Sequence, residues 1–361
     1  MKKLIPLHIE GIRPYEPGKP VEEVRRELGL THVIKLASNE NAYGPAPKAV
    51  RVMREKLDAV NLYPVGNSFY LRKKLSEKLN LPMEKIIIGN GSCELVEIIA
   101  KTFLGFDENA VISDKAFIMY WLAVQVANGN SVIVPDRDLR HDLKAMAAAV
   151  NEKTKLIYIS NPNNPTGMIS KTDEFLEMLE TVPRDVVVVI DEAYYEYVTD
   201  PEYPQTIPLM DKYPNLIILR TFSKVYGLAG LRVGYGLADK TLLACLNRVR
   251  SPFNTNSLAQ IGAEAALDDE EFVRQSREKN REERRFMEAA FRKKNLDYTP
   301  SQTNFFLVNF KMDGLDLFQK LLKQGVIVRP LAPYRMPESL RITLGTREEN
   351  LMLLEALDQV L

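Results

Sequence analysis

The sequence is poor in the residues that metal sites and disulfide frameworks require. Its 361 residues include two cysteines, Cys93 and Cys245, and three histidines. Two cysteines are too few for a disulfide framework, so a reducing cytoplasm is the expected compartment. His8, His32 and His141 are scattered, and no pair has metal-ligand spacing. The sequence therefore predicts no metal site and disfavours catalysis by a Ser-His-Asp triad.

The chain also lacks an excess of charge and any long apolar run. Its 48 acidic residues balance its 48 basic residues, which does not favour nucleic acid or an anionic membrane as a partner. No apolar run approaches the ~18 residues that indicate a membrane-spanning helix. His8 and Glu10 interrupt the first apolar segment, so no signal peptide is expected. If this is an enzyme, its chemistry depends on lysine, tyrosine, carboxylate, arginine or a cofactor.

Short apolar runs alternate with amphipathic stretches from residue 86 onward, which predicts strands alternating with helices. The predicted strands span 86–88, 110–112, 131–134, 156–159, 186–190, 216–219 and 232–237. Continuous apolar strands separated by helices indicate an α/β fold with a mainly parallel sheet covered on both faces. Ligands of such sheets bind beyond the carboxyl ends of the strands.

The length and the change of pattern along the chain predict three regions. Residues 1–44 form a proline-rich arm that packs on the small domain or on a partner subunit, 45–250 form the large domain, and 251–361 form a smaller α+β domain. The stretch 263–294 is strongly charged and predicts one long helix with a solvated face.

Polar residues follow several of the predicted strands. Gly89 to Glu94 opens a helix whose first amides could bind phosphate, although a plain strand-to-helix turn fits as well. Ser160 to Gly167 forms a turn with two prolines. Asp191 ends the most apolar strand, where it either caps a helix or pairs with a cation such as a pyridinium nitrogen. In the loop after residue 36, Asn39 and Asn41 are either substrate contacts or turn formers.

The most informative of these strand ends is the one that is followed by a lysine. Lys224 follows a predicted buried strand and has apolar neighbours, and Thr221, Ser223 and Arg232 lie close to it in the sequence. Burial lowers the pKa of a lysine, which suits an amine that attacks a carbonyl. An amine beside donors for a phosphate is what pyridoxal 5′-phosphate (PLP) requires. The alternative is a lysine at the edge of a helix whose ammonium group reaches water.

Three motifs in order resemble those of the fold-type I PLP-dependent aminotransferases. They are Asn164-Pro165-Thr166-Gly167, Asp191-x-x-Tyr194 and the run from Thr221 through Ser223-Lys224 to Arg232-x-Gly234. The resemblance covers nearly the whole chain. The segments 14–20, 35–41 and 339–343 are similar to the histidinol-phosphate aminotransferase branch in particular.

This resemblance implies roles around the ring of the cofactor. Lys224 would bind the cofactor covalently, and Asp191 would hold the pyridinium nitrogen protonated. Asn164 and Tyr194 would hydrogen-bond the ring hydroxyl, and Phe117 would stack on the ring. Lys224, Asp191 and Tyr194 are the expected catalytic residues.

The resemblance also implies a phosphate site, a substrate site and a homodimer. The residues expected to hold the cofactor phosphate are Ser92, Cys93, Thr221, Ser223, Arg232 and, from the neighbouring subunit, Tyr63. The residues expected to bind the substrate are Tyr15, Asn41, Arg329 and Arg341. The sequence departs from the family twice, because Cys93 replaces a frequent aspartate and Phe117 lacks the usual hydroxyl.

The expected reaction is transamination between L-histidinol phosphate and 2-oxoglutarate, which yields imidazole acetol phosphate and glutamate in histidine biosynthesis. The main alternative is an aromatic amino acid aminotransferase, since such relatives share these motifs. A related PLP decarboxylase that acts on phosphothreonine and a non-catalytic module with this fold are further alternatives.

Overall fold

The computed structural model describes residues 4–14 and 18–361. Tyr15, predicted to contact the substrate, lies outside the described residues. The helices are α1 Leu7–Glu10, α2 Val21–Leu28, α3 Pro47–Glu55, α4 Phe69–Leu79, α5 Gly91–Phe103, α6 Met119–Val126, α7 Leu143–Ala148, α8 Thr172–Thr181, α9 Lys240–Val249, α10 Ser257–Leu267, α11 Glu270–Lys293, α12 Gly314–Lys323 and α13 Arg347–Val360. The strands are β1 Ile34–Lys35, β2 Ile86–Gly89, β3 Asn109–Ser113, β4 Asn130–Val134, β5 Thr154–Ser160, β6 Val187–Asp191, β7 Leu216–Thr221, β8 Gly234–Ala238, β9 Asp297–Tyr298, β10 Phe305–Asn309, β11 Val326–Ile327, β12 Arg329–Pro330 and β13 Ser339–Thr343.

The larger unit is built on a seven-stranded sheet in the order β2-β8-β7-β6-β5-β3-β4. Strand β8 is antiparallel to both of its neighbours, and the other six strands share one direction. The prediction of a mainly parallel sheet is confirmed. Because those six strands share a direction, their carboxyl ends meet at one edge of the sheet.

Side chains alternate between the two faces of the sheet along the central strands, so the sheet has an apolar core on each face. In β6, Val188 and Ile190 pack into one apolar cluster, whereas Val187 and Val189 pack into the other. This follows from the two-residue period of a strand. Helices cover both faces, so both sets of side chains are buried, and the unbroken apolar sequence of β6 is explained.

The smaller unit contains an antiparallel sheet in the order β12-β13-β10-β9. Its core includes side chains from α11, α12 and α13. Strand β1, which lies within the N-terminal arm, pairs in parallel with β11 and attaches that part of the arm to this unit. The prediction of a smaller α+β unit is confirmed.

Helix α10 packs with the larger unit. It contacts α3 and α4, and Ala259, Ala263 and Ala266 lie in the core of the larger unit. The sequence analysis instead placed the boundary before this helix, at 250/251. The single helix predicted over 263–294 is also wrong, because α10 ends at Leu267 and α11 begins at Glu270. The carboxylate of Asp269 accepts a hydrogen bond from the backbone N–H of Lys48, which fixes the break between the two helices.

The described residues contain neither a helix suited to span a membrane nor a cluster suited to bind a metal ion. None of the helices within residues 4–14 and 18–361 is both long and apolar enough to cross a membrane. Over the same residues, no three His, Cys, Asp or Glu side chains come together as they would around a metal ion.

Candidate active site

A cavity of about 280 Å³ lies between the two units, at the edge of the large sheet where β5, β6 and β7 end. Twelve of the predicted site residues line this cavity: Ser92, Cys93, Phe117, Asn164, Asp191, Tyr194, Thr221, Ser223, Lys224, Arg232, Arg329 and Arg341. They come from strand exits, from the start of α5 and from the smaller sheet. The fold therefore brings together groups that are far apart in the sequence.

Lys224 lies in the cavity wall, three residues after β7 ends. Its Nζ donates to the carbonyl oxygens of Ser38 and Asn39, each at 3.4 Å, and lies 5.4 Å from the centroid of the Tyr194 ring. Burial, and then the positive charge of Arg341, lower the pKa of Lys224 to about 8. Near neutral pH this amine can therefore both hold and release a proton.

Asp191 is the last residue of β6, and its carboxylate is almost fully buried. One oxygen accepts a hydrogen bond from the hydroxyl of Tyr120 at 3.1 Å, and the other accepts from the N–H of Ala193 at 3.1 Å. Burial raises the pKa of Asp191 to about 6. A cation placed beside the carboxylate would oppose that effect and favour the charged form.

The neighbouring carboxylate, Glu192, is already paired. It forms a buried ion pair with Arg220 at 2.8 Å and accepts hydrogen bonds from Tyr203 and Thr206. The guanidinium of Arg220 lies 3.8 Å from the centroid of the Tyr195 ring. This ion pair joins the ends of β6 and β7 and stabilises both. Unlike Asp191, it does not face the cavity.

The guanidinium of Arg341 is buried against neutral oxygens. It donates to the Asn164 side-chain oxygen at 2.7 Å and to the carbonyl of Ala37 at 2.6 Å. Its Nε is buried and has no hydrogen-bond partner in the described part of the chain. A buried cation is costly without a counter-charge. Arg341 is therefore suited to bind an anion in the cavity, and Arg329, which pairs with it across β12 and β13, lines the same space.

The start of α5 forms a cradle on the other side of the cavity. Gly91 has φ +76°, and a Cβ at this position would lie 2.7 Å from a terminal nitrogen of Arg232. Glycine therefore allows the guanidinium to approach the helix N-terminus, where free backbone amides already favour an anion. Burial raises the pKa of the Cys93 thiol, so Cys93 stays neutral there.

Two predicted site residues do not line this cavity. The side-chain amide of Asn41 donates to the carbonyl of Val225 at 2.8 Å and to the hydroxyl of Ser276 at 3.1 Å, so it holds its own loop in place. That placement does not fit the predicted substrate contact, and it is the neighbouring Asn39 that reaches the cavity. Tyr63 is 83% exposed and stacks on Phe253 with 4.7 Å between ring centroids.

Tyr120 is a residue beside the site that the sequence analysis did not assign, and Asn39 is one that it left open between a substrate contact and a turn former. Tyr120 is fully buried and packs edge-on against Phe117. Asn39 donates from its side-chain amide to the hydroxyl of Tyr194 at 2.8 Å, a contact between residues 155 positions apart in the sequence.

The fold and the cavity define an α/β enzyme in which a lysine of lowered pKa, a buried carboxylate and three arginines line one space. The chain belongs to the class I and II aminotransferase family, whose family model matches residues 31–357. The resemblance inferred from the motifs is thus confirmed.

Curated relatives match over nearly the full length. The chain is 49% identical to a histidinol-phosphate aminotransferase of Brevibacillus brevis, over 96% of this chain and 95% of the relative. It is 47% identical to the one of Moorella thermoacetica, over 98% and 92%. The crystal structure of the Sinorhizobium meliloti histidinol-phosphate aminotransferase in complex with pyridoxal-5′-phosphate has a TM-score of 0.91, with 27% identity and coverage of 100% and 98%.

Proposed function

We propose that this protein transfers an amino group between L-histidinol phosphate and 2-oxoglutarate, with PLP as cofactor, within histidine biosynthesis. The observation that carries the proposal is the joint presence, in one cavity, of Lys224, Asp191 and the buried Arg341. The named relatives support the choice of substrate, because several of them are 44–49% identical to this chain. No feature of the cavity favours the aromatic aminotransferase, decarboxylase or non-catalytic alternatives.

The residues of the cavity fit PLP group by group. Asp191 is a buried carboxylate that would pair with the pyridinium nitrogen, and Lys224 is the amine that would bind the aldehyde carbon. The cradle of α5 with Arg232 would hold the phosphate, with Thr221 and Ser223 as further donors. When bound, the cofactor supplies an electron sink for the pair of electrons released at the substrate Cα.

Tyr194 and Asn164 would hold the ring hydroxyl, and Phe117 would stack on the ring. Burial raises the pKa of Tyr194 to about 12, so its hydroxyl stays protonated and remains a donor. Asn164 has its side-chain oxygen engaged by Arg341, which leaves its amide hydrogens to donate.

Lys224 is the residue that would move a proton at the substrate carbon next to the amine. With a pKa of about 8, the Lys224 amine could accept the proton from the substrate Cα and give it to the aldehyde carbon of the cofactor at neutral pH. Arg341 and Arg329 would bind the substrate anion. A phosphate carries nearly twice the charge of a carboxylate, which favours two guanidinium groups over one, and glutamate would use the same pair through a carboxylate.

We also propose that the protein is a homodimer. Large apolar side chains are exposed between residues 57 and 70, at Leu57, Val60, Leu62, Tyr63, Val65, Phe69 and Tyr70, and also at Val249 and Phe253, the second of which stacks on Tyr63. Exposed apolar patches of this kind mark interaction surfaces. Tyr63 does not line the cavity of its own chain, so its expected contact with a cofactor phosphate requires a partner subunit.

We place the protein in the cytoplasm. Cys93 and Cys245 are both free thiols, which fits a reducing compartment.

The function is tested by following glutamate formation from L-histidinol phosphate and 2-oxoglutarate with the purified protein and PLP. Activity that is lost in Lys224→Ala, while that variant still binds PLP without a covalent link, supports the proposal. Release of carbon dioxide from phosphothreonine, without transamination, would identify the decarboxylase alternative. An absence of both activities in a folded, PLP-loaded protein would leave the non-catalytic alternative.

A further inference from the structure

Asn39 forms hydrogen bonds with both units of the protein, and one of them is to the hydroxyl of Tyr194. It is 1% exposed and follows β1, whose pairing with β11 attaches it to the smaller unit. Its side-chain amide donates to the hydroxyl of Tyr194, and its carbonyl accepts from Nζ of Lys224 at 3.4 Å and from the side chain of Asn304 at 3.1 Å. With Thr343 included, Asn39 contacts Tyr194 and Lys224 of the larger unit and two residues of the smaller unit.

The orientation of the Asn39 amide is fixed by Thr343. The backbone N–H of Asn39 donates to the hydroxyl oxygen of Thr343 at 3.0 Å, and that hydroxyl donates its own proton to the Asn39 side-chain oxygen at 2.9 Å. The side-chain oxygen is thus the group that faces Thr343, and the nitrogen must face Tyr194. A flipped amide would remove the side-chain oxygen that accepts the proton of the Thr343 hydroxyl.

This arrangement determines where the Tyr194 proton points. The hydroxyl oxygen of Tyr194 accepts from Asn39, so its single proton is not used in that bond. The proton can then be donated into the cavity. Asn39 also has φ +57°, a left-handed conformation that asparagine adopts more readily than most residues with a Cβ. The backbone is held in this conformation at the position where the amide reaches Tyr194.

We propose that Asn39 is a positioning residue that directs the Tyr194 hydroxyl proton toward the ring oxygen of the bound cofactor and links that direction to the smaller unit through Thr343. The inference rests on the proposed function, in which Tyr194 contacts that oxygen. A donor to the ring oxygen stabilises its negative form, so it lowers the pH at which the cofactor changes its visible absorption.

The test is a pH titration of the visible absorption of PLP bound to the full-length protein. Asn39→Gly removes the amide and accepts the left-handed backbone, so the titration midpoint should rise by about half a pH unit or more. In a Tyr194→Phe background the same substitution should add no further rise, because its effect passes through the Tyr194 hydroxyl. Thr343→Val, which removes the hydroxyl that orients the amide, should shift the midpoint in the same direction by less.

The matched control is Asn215→Ala, which removes another buried amide at the far end of β7. The Asn215 side chain donates to the carbonyl of Val186 at 2.7 Å, so its loss should lower the melting temperature without moving the midpoint. An unchanged midpoint in Asn39→Gly, or an equal rise with and without the Tyr194 hydroxyl, overturns the inference. If Asn39→Gly does not fold, Thr343→Val alone and in the Tyr194→Phe background decides by the same criteria. A wild-type protein without visible absorption after incubation with PLP would instead refute the proposed function.

Discussion

Replacing Lys224 by methionine should stabilise the protein when it is prepared without PLP. In that state the ammonium group of Lys224 meets two carbonyl oxygens at 3.4 Å, and neither oxygen carries a charge. The pKa of Lys224 falls from 10.5 to about 8. At about 1.4 kcal/mol per pKa unit the buried charge costs about 3 kcal/mol, and because Lys224 is only partly buried, solvent screening reduces this cost to about 1–2 kcal/mol. Methionine keeps the length of the side chain without the charge.

The direction of the pKa shift of Lys224 determines how this stability difference changes with pH. The folded-state pKa of Lys224 lies below its unfolded value, so between about pH 8 and 10.5 the unfolded chain binds more protons. The cost of the buried charge is therefore complete below pH 8 and disappears as the pH rises toward 10.5. The stability advantage of Lys224→Met should be complete at pH 7 and should fall to about a quarter of that value at pH 10.

Urea unfolding followed by circular dichroism measures this advantage, with Lys144→Met as the control that removes an exposed lysine. Lys144→Met should change the free energy of unfolding by less than about 0.5 kcal/mol. A Lys224→Met protein that is less stable than wild type at pH 7, or whose advantage persists unchanged at pH 10, would refute the account of the Lys224 environment.

Three further predictions follow from the site. Tyr120→Phe removes the hydroxyl that donates to the Asp191 carboxylate, a hydrogen bond that contributes about 1.5–3 kcal/mol. The value of kcat/KM should fall at least tenfold, and the acidic limb of its pH profile should move to higher pH. An unchanged profile would exclude this role of Tyr120. Arg341→Lys keeps the charge but loses the paired donors, so KM for the phosphorylated substrate should rise about tenfold or more; equal kinetics would show that Arg341 does not bind the anion. Light scattering of the wild-type protein should give the mass of a dimer. Tyr63→Phe should weaken PLP binding without dissociating the dimer. An active monomer would remove the proposed role of Tyr63.

The sequence predicted the sheet and most of the cavity because both depend on local patterns. Unbroken apolar runs such as Val187–Ile190 indicate buried parallel strands, and polar residues at their carboxyl ends indicate the site. Asp191 follows such a run directly, and Lys224 lies three residues beyond the end of β7, so both could be assigned before the structure was known. Their motifs then gave the family.

Other features depend on contacts between distant segments. The separation of α10 from α11 is fixed by Asp269 and Lys48, which are 221 residues apart. Asn39 and Asn41 lie in the same loop and have the same side chain, and only tertiary packing decides that Asn39 faces the cavity. Local patterns carry no information about such pairings, which is why Asn41 rather than Asn39 was assigned to the substrate.

The proposal of histidinol phosphate as substrate is tested most directly by one comparison of kcat/KM. L-histidinol phosphate, phenylalanine and tyrosine are measured as amino donors to 2-oxoglutarate with the PLP-loaded protein under one condition. In the proposed site Arg341 and Arg329 bind the substrate anion, and two guanidinium groups favour a phosphate over a carboxylate, so histidinol phosphate should be preferred. A preference for phenylalanine or tyrosine of about tenfold or more, about 1.4 kcal/mol of discrimination in the transition state, would contradict this assignment and leave an aromatic amino acid aminotransferase.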